Sequence, residues 1–258
     1  MQLIDGGIFN FSDSSYVPPA LDGLYSFTTD TDYKLNQIYT NKYIYLATDK
    51  KLSVYDITGK NLVAYIKYEG GFTTVAGNDS RVYVGTTNSG VKYVLTQNIN
   101  PTTPVPQNLL SSLEDLSINI TSENIKYINV LNDALLICTS SGVDYYNDNQ
   151  NPIIHSKTYI AGAEKCFATT KAQYYTVSGS NEYSIYRIDS ALCDWVSPSF
   201  VYTTGSGIFE AGIYLTDIYI TEQTAYNGGN TIFCTTSSGV YIIDEDTIEY
   251  ASYYIGQI

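Results

Sequence analysis

One phrase recurs along the chain and limits what it can fold into: a short apolar strand, a polar turn, then a second short strand. It reads Tyr43-Ile-Tyr-Leu-Ala-Thr-Asp, then Leu52-Ser-Val-Tyr-Asp56. It returns as Arg81-Val-Tyr-Val-Gly-Thr-Thr with Gly90-Val-Lys-Tyr-Val94, and as Ala134-Leu-Leu-Ile-Cys-Thr-Ser with Gly142-Val-Asp-Tyr-Tyr146. A degenerate copy is Gln173-Tyr-Tyr-Thr-Val with Tyr183-Ser-Ile-Tyr-Arg-Ile188. The last is Thr231-Ile-Phe-Cys-Thr-Thr with Gly239-Val-Tyr-Ile-Ile-Asp244. The copies, anchored on Leu52, Val91, Val143, Ile185 and Val240, follow one another at about 40 to 55 residues, the period of a repeat architecture with inserted loops.

Each unit has room for four short strands. A third follows the pair, as in Asn61-Leu-Val-Ala-Tyr-Ile-Lys-Tyr68, and a small-residue strand precedes it, as in Phe72-Thr-Thr-Val-Ala-Gly77. Gly70-Gly71, Asn78-Asp79-Ser80 and Asn88-Ser89-Gly90 read as the turns between them. A four-stranded sheet is marginal alone and has two faces to cover. Radial stacking covers both and leaves only short edges. The middle strands are apolar on both faces, as sandwiched sheets should be. The small residues of Thr73–Gly77 and Ala168–Thr170 suit a slim innermost strand. The predicted fold is all-β: a single β-propeller over residues 1–258, with an evenly spaced β-sandwich as the alternative.

The phrase Val82-Tyr-Val-Gly-Thr-Thr-Asn-Ser-Gly-Val91 resembles the propeller repeats of the two-component-regulator and LVIVD type, which carry a V-x-V-G-T-x-x-G-[LV] core and a Tyr-Asp ending. The copies ending at Asp56 and Asp244 keep the final Asp; the third ends in Tyr145-Tyr146, and the fourth lacks the Gly. The resemblance covers the chain from about Lys34 onward. It implies the fold and almost nothing about activity, because propellers host many unrelated functions.

Five four-stranded blades are predicted, with six as the alternative. Residues 1–33 hold Gly6-Gly-Ile-Phe-Asn-Phe and Gly23-Leu-Tyr-Ser-Phe27. They read as closing strands beside Ile248–Ile255, or as part of a sixth blade. Residues 101–118 break the repeat. Pro101-Thr-Thr-Pro-Val-Pro106 is a stiff linker into Asn108–Leu116. There Leu109, Leu110, Leu113 and Leu116 share a helical stripe, and Ser111 and Glu114 have capping-box spacing. A short helix is predicted, with its leucines on the outer edge of a blade. Leu109, Leu110 and Leu113, together with the single tryptophan, Trp195, are the candidate partner contacts. Thr203–Gly212, rich in glycine, reads as a surface loop.

Composition excludes several classes. Lys and Arg number 13 against 26 Asp and Glu, a net charge of −13. Phosphate contacts need cations, so nucleic acid is not an expected partner, nor is an anionic membrane surface. The longest apolar runs, such as Ala134–Cys138, fall far short of the ~18 residues of a membrane span. No signal peptide is recognisable, so a soluble protein outside the secretory route is expected. Cys138, Cys166, Cys193 and Cys234 show no CxxC spacing and are expected to be reduced and structural.

The residues of catalysis are sparse. The single histidine, His155, lacks the companions of a triad or a metal site and reads as a strand residue. The carboxylate groupings Asp30/Asp32, Glu114/Asp115 and Asp244/Glu245/Asp246 are the glycosidase candidates, since that chemistry needs two carboxyls ~5–9.5 Å apart. The recurrence of Asp56, Asp189 and Asp244 at repeat ends points to turn formation instead. Asn147-Asp-Asn-Gln-Asn151 offers oxygen ligands without EF-hand spacing. No catalytic, cofactor or metal residues are assigned, and no cofactor is expected.

What remains is surface, on a chain with 27 Tyr and only 15% charged residues. Tyr brings large contact area with one polar tip, which suits interfaces. The expected function is a non-enzymatic protein–protein interaction scaffold. Its partners are expected to be other subunits of a large assembly such as a virus or phage particle (tail, baseplate or decoration protein). A glycan-binding propeller lectin is the alternative, and a five-bladed glycosidase a more distant one.

Overall fold

The structure, a computed structural model, describes residues 2–4, 7–10, 15–17, 35–57, 61–116, 124–131, 134–147, 154–159, 162–168, 173–178, 183–188, 199–202, 215–221, 231–236, 239–244 and 253–254. Their regular structure is strand throughout, apart from two 3-10 turns of three residues each. Gly23–Phe27, Trp195 and Thr203–Gly212 lie outside the described residues.

β1 (Gln2–Ile4), β2 (Gly7–Asn10) and β3 (Ser15–Val17) form a small antiparallel sheet. Then β4 (Leu35–Thr40), β5 (Ile44–Thr48), β6 (Lys51–Tyr55) and β7 (Leu62–Lys67) pair in sequence as an antiparallel meander. β8 (Thr74–Gly77), β9 (Arg81–Gly85) and β10 (Val91–Leu95) begin a second one.

The next segment carries the turn Thr96–Asn98, β11 (Gln107–Asn108), the turn Leu110–Ser112 and β12 (Glu114–Asp115). β13 (Ile125–Leu131), β14 (Ala134–Thr139), β15 (Gly142–Asn147) and β16 (Ile154–Tyr159) form the third sheet. β17 (Ala163–Ala168), β18 (Gln173–Ser178), β19 (Tyr183–Ile188) and β20 (Ser199–Tyr202) form the fourth. β21 (Leu215–Thr221), β22 (Thr231–Thr236), β23 (Gly239–Asp244) and β24 (Tyr253–Tyr254) form the last. Each sequence copy supplies the second and third strands of one sheet. The chain packs as two compact units, Met1–Ile128 and Asn129–Ile258, with the boundary inside β13.

The repeat has a local cause. In the first three of these sheets the second strand ends in, or is followed at once by, a buried threonine, and its hydroxyl closes the turn to the third strand. Thr48 Oγ1 donates to the Lys51 carbonyl at 2.8 Å and accepts the Lys51 N–H at 2.9 Å. Thr86 Oγ1 donates to the Gly90 carbonyl at 2.8 Å and accepts the Ser89 N–H at 2.9 Å. Thr139 Oγ1 donates to the Gly142 carbonyl and accepts the Ser141 N–H, both at 3.2 Å. A short β-branched hydroxyl is the side chain that extends a strand and still reaches the backbone ahead of it. Thr86→Val keeps the shape and removes both bonds. It should lower stability by about 1–2 kcal/mol in chemical denaturation, because the half-buried Ser89 N–H is left without its acceptor.

Three of the first strands share a second device. β4, β17 and β21 each slip register one residue after their first pair, between Leu35/Gln37, Ala163/Lys165 and Leu215/Asp217. A bulge increases local twist and bends the strand. In β4 it places Asn36, whose Nδ2 donates to the Phe72 carbonyl at 2.7 Å and ties the first sheet to the second.

The core of the first unit lies between these two sheets. Tyr45, Ala47, Leu52, Val54 and Ile66 of one meet Phe72, Val75, Val82 and Val84 of the other. Many tyrosines belong to the buried interior: Tyr43, Tyr45, Tyr55, Tyr83, Tyr145, Tyr146 and Tyr175 are all buried. Tyr39 Oη donates to the Gly77 carbonyl at 2.6 Å, bridging the sheets, while its ring stacks on Tyr45 at 5.7 Å.

The Tyr45 hydroxyl is wholly buried and makes no well-formed hydrogen bond; the Asn41 side chain lies close without the alignment of one. Burial first, then the neighbouring phenols of Tyr39 and Tyr43, push its pKa well above the ordinary 10.0. The folded state therefore holds a proton that the unfolded state releases above about pH 10. Its contribution is complete below that pH and is lost as the pH rises. Tyr45→Phe should leave stability at pH 7 unchanged or slightly raised, and flatten the loss of stability between about pH 10 and 11. Tyr39→Phe, which deletes a made bond, should cost about 1 kcal/mol at pH 7. Urea titrations at both pH values separate the two.

Candidate functional site

The segment between β10 and β13 is a strap across the outer edges of the first two sheets. β11 adds to β7 in parallel, with Gln107 opposite Ala64 and Asn108 opposite Tyr65. β12 adds antiparallel to β10, with Lys92 opposite Asp115 and Tyr93 opposite Glu114. The Leu109 N–H donates to the Tyr65 carbonyl at 2.9 Å, and the Leu116 N–H donates to the Val91 carbonyl at 3.0 Å.

The helix predicted over Asn108–Leu116 is reduced to the single 3-10 turn Leu110–Ser112. Ser111 and Glu114 form no capping box; the turn begins at Leu109 without a side-chain cap. The physical reason is competition. A helix this short is marginal in water, whereas two open strand edges offer the same backbone groups well-placed partners.

The strap sorts the candidate contacts by depth. Leu109 is 1% exposed and belongs to the core between the two sheets, with half-buried Leu113 packed against it. Leu116 is buried as well. Leu109 is therefore a core anchor in this structure, and Leu113 packs against the same core. Leu110 is 45% exposed and Val105, in the proline-rich linker, 69%. Leu110 projects from a turn pinned by strand pairing on both sides, and Val105 lies just ahead of the first paired strand. Trp195 lies outside the described residues.

The carboxylates of the strap are structural in their contacts. Glu114 accepts a hydrogen bond from the Tyr93 hydroxyl, and Asp115 forms an ion pair with Lys92. Adjacent residues of a strand point to opposite faces, so this pair does not flank a common bond. His155 sits on β16 opposite Tyr146. Among the described residues no group of three His, Cys, Asp or Glu side chains is placed to hold a metal. Among them, too, no helix is long and apolar enough to cross a membrane.

Several cations lie over tyrosine rings. Arg81 stands 5.1 Å from the centroid of Tyr93, Lys92 5.4 Å from Tyr68, Lys51 5.8 Å from Tyr65 and Lys42 6.0 Å from Tyr43. Such contacts contribute about 0.5–1 kcal/mol each at exposed sites. They place four of the chain's 13 Lys and Arg side chains against its own aromatic surface.

The second unit holds two features that the sequence pattern does not announce. Tyr219 is 49% exposed and rests edge-on against Phe167 at 6.0 Å, with Phe233 at 6.4 Å. Partial burial still raises its phenol pKa. Deeper in, Cys138, Cys166 and Asp144 are all fully buried near one another. Burial pushes the Cys166 thiol well above its usual range. The neighbouring Cys138 and Asp144 push the same way, and backbone hydrogen bonds at Cys138 and Asn129 pull it partly back. A run of apolar residues gives no sign of these meetings, since they join separate sheets.

No family model matches the chain, and no curated protein does. Solved structures are similar to it. The extracellular domain of BT4673 from B. thetaiotaomicron is 14% identical, with a TM-score of 0.56 over 86% of this chain and 30% of that one. The WD40 beta propeller domain of Doa1 is 9% identical, with a TM-score of 0.53 over 88% of this chain and 71% of that one. The N-terminal domain of Nup159 is 10% identical, with a TM-score of 0.50 over 82% of this chain and 60% of that one. The chain thus spans less than two thirds of the length of two of these structures. Together with the serial four-stranded sheets, this likeness shows the fold: the chain is an all-β protein of the β-propeller class.

Proposed function

We propose that this propeller is a non-enzymatic interaction scaffold and that it docks a protein partner through the strap. The observation that carries the reading is the projection of Leu110, 45% exposed, from a turn held by strand pairing on both sides, with Val105, 69% exposed, just ahead of the first paired strand. A preordered apolar projection binds with less entropy loss than a loose loop. The net charge of −13, with several cations engaged by tyrosine rings, favours a partner whose socket is rimmed by basic groups. The larger context we favour is a structural subunit of an assembly such as a virus or phage particle, supported by the Tyr-rich, charge-poor composition.

Affinity capture with the tagged chain from its native lysate tests the docking. Stoichiometric protein partners are expected, with recovery reduced at least tenfold by Val105→Asp combined with Leu110→Asp. Association rates should fall as salt rises from 0.05 to 0.3 M, by about tenfold. Undiminished capture by the double variant would sink the strap as the contact. A bait released only by free sugars would replace the reading with glycan binding. Purified particles lacking the chain would end the virion placement.

A further inference from the structure

Cys138 and Cys166 are both buried thiols on different sheets of the second unit. Cys138 pairs with Val143 at the end of β14, as Gly85 pairs with Val91 at the end of β9. In the first unit this position faces the next first strand closely: a Cβ built on Gly85 would stand 2.5 Å from Ile125 Cγ2, at the start of β13. Cys138 carries a real Cβ and Sγ at the equivalent place, and β14 packs on β17, which carries Cys166. The Cys166 sulfur is within hydrogen-bonding reach of the Cys138 backbone. Two fully buried thiols on strands that pack on each other are the arrangement a disulfide between sheets needs.

We propose that Cys138 and Cys166 form a redox-responsive pair, in which two-electron oxidation joins them as a disulfide that staples the third sheet to the fourth. The co-reactant is a small-molecule disulfide such as oxidised glutathione. One cysteine thiolate attacks it and releases one reduced thiol. The second cysteine then displaces the other, forming the Cys138–Cys166 bond. Two protons and two electrons leave the protein, and the reagent is reduced to two thiols. Burial and the Asp144 carboxylate both disfavour the thiolate, so the closed sheets react slowly. Opening between β14 and β17 exposes the pair, and oxidation then locks the sheets shut. The device responds to the conjunction of an oxidising medium and a loosened fold.

The test uses the full chain, incubated with oxidised glutathione a few degrees below its thermal midpoint, then alkylated and digested. A linked peptide joining Cys138 to Cys166 is expected. So is a rise in thermal midpoint of roughly 5–10 °C, reversed by a dithiol reductant. Cys138→Ser and Cys166→Ser should each abolish the rise. If either variant fails to fold, peptide mapping of the unaltered chain still decides. Recovery of both thiols as alkylated monomers, a link to Cys193 or Cys234 instead, or a Cys138–Cys166 link without any midpoint shift would overturn the proposal.

Discussion

Truncating Leu109 to alanine should lower the unfolding free energy by about 2–5 kcal/mol, while the same change at its neighbour Leu110 should stay within about 0.5 kcal/mol. The two residues are adjacent, have the same composition and were equally good partner contacts on sequence. The difference lies in burial. Leu109 is 1% exposed and belongs to the core between the first two sheets, so its removal leaves a cavity that strand-paired neighbours cannot close. Leu110 gives up only surface already in water. Urea midpoints for the two variants check the stability half. Partner capture checks the other half: Leu110→Asp should lose binding with its midpoint unchanged, whereas Leu109→Ala should lose stability and weaken binding only through the loosened strap.

Gly71→Ala should cost about 2–4 kcal/mol through two independent terms. Gly71 has φ +66, in the left-handed region where a side chain is strained. A Cβ there would also run into the Asp49 carbonyl oxygen. Neither rotamer choice nor side-chain movement relieves a backbone obstacle. The obstacle itself is fixed, because the adjoining Phe72 N–H donates to the Thr48 carbonyl at 3.1 Å. Gly70→Ala serves as the comparison, since its new Cβ would meet only the Tyr68 ring. A midpoint for Gly71→Ala within 1 °C of the unaltered chain would show that this crossing between sheets is not fixed as described.

The contrast between copied and inserted segments explains how much of the molecule is legible in its sequence. Thr48, Thr86 and Thr139 close their turns through bonds reaching only three or four residues, so the same letters recur wherever the turn recurs. Strand pairs set by such turns could therefore be read directly. The strap could not. The spacing of Leu109, Leu113 and Leu116 suits a helix, yet it equally suits an extended segment whose leucines dip between two sheets. The choice was made by the carbonyls of Tyr65 and Val91, distant in sequence. The bulges of β4, β17 and β21 were hidden for another reason: Asn36, Glu164 and Thr216 share no residue type. The excess of tyrosine, read as surface, partly reflects cores in which phenols such as Tyr39 bridge sheets to backbone carbonyls. Of the candidate site, the segment was legible and the depth of each leucine was not.

The two short strands β11 and β12 also bear on self-association. A sheet edge left open is a template on which another chain can propagate, and a serial stack of sheets multiplies such templates. Here the outermost strands of the first two sheets are blocked by the chain itself. Each blocking strand is only two residues long, too short to offer a continuous ladder of its own, and β12 consists of two acids. The strap thereby limits fibre growth at these edges while keeping two aliphatic side chains available for a specific contact.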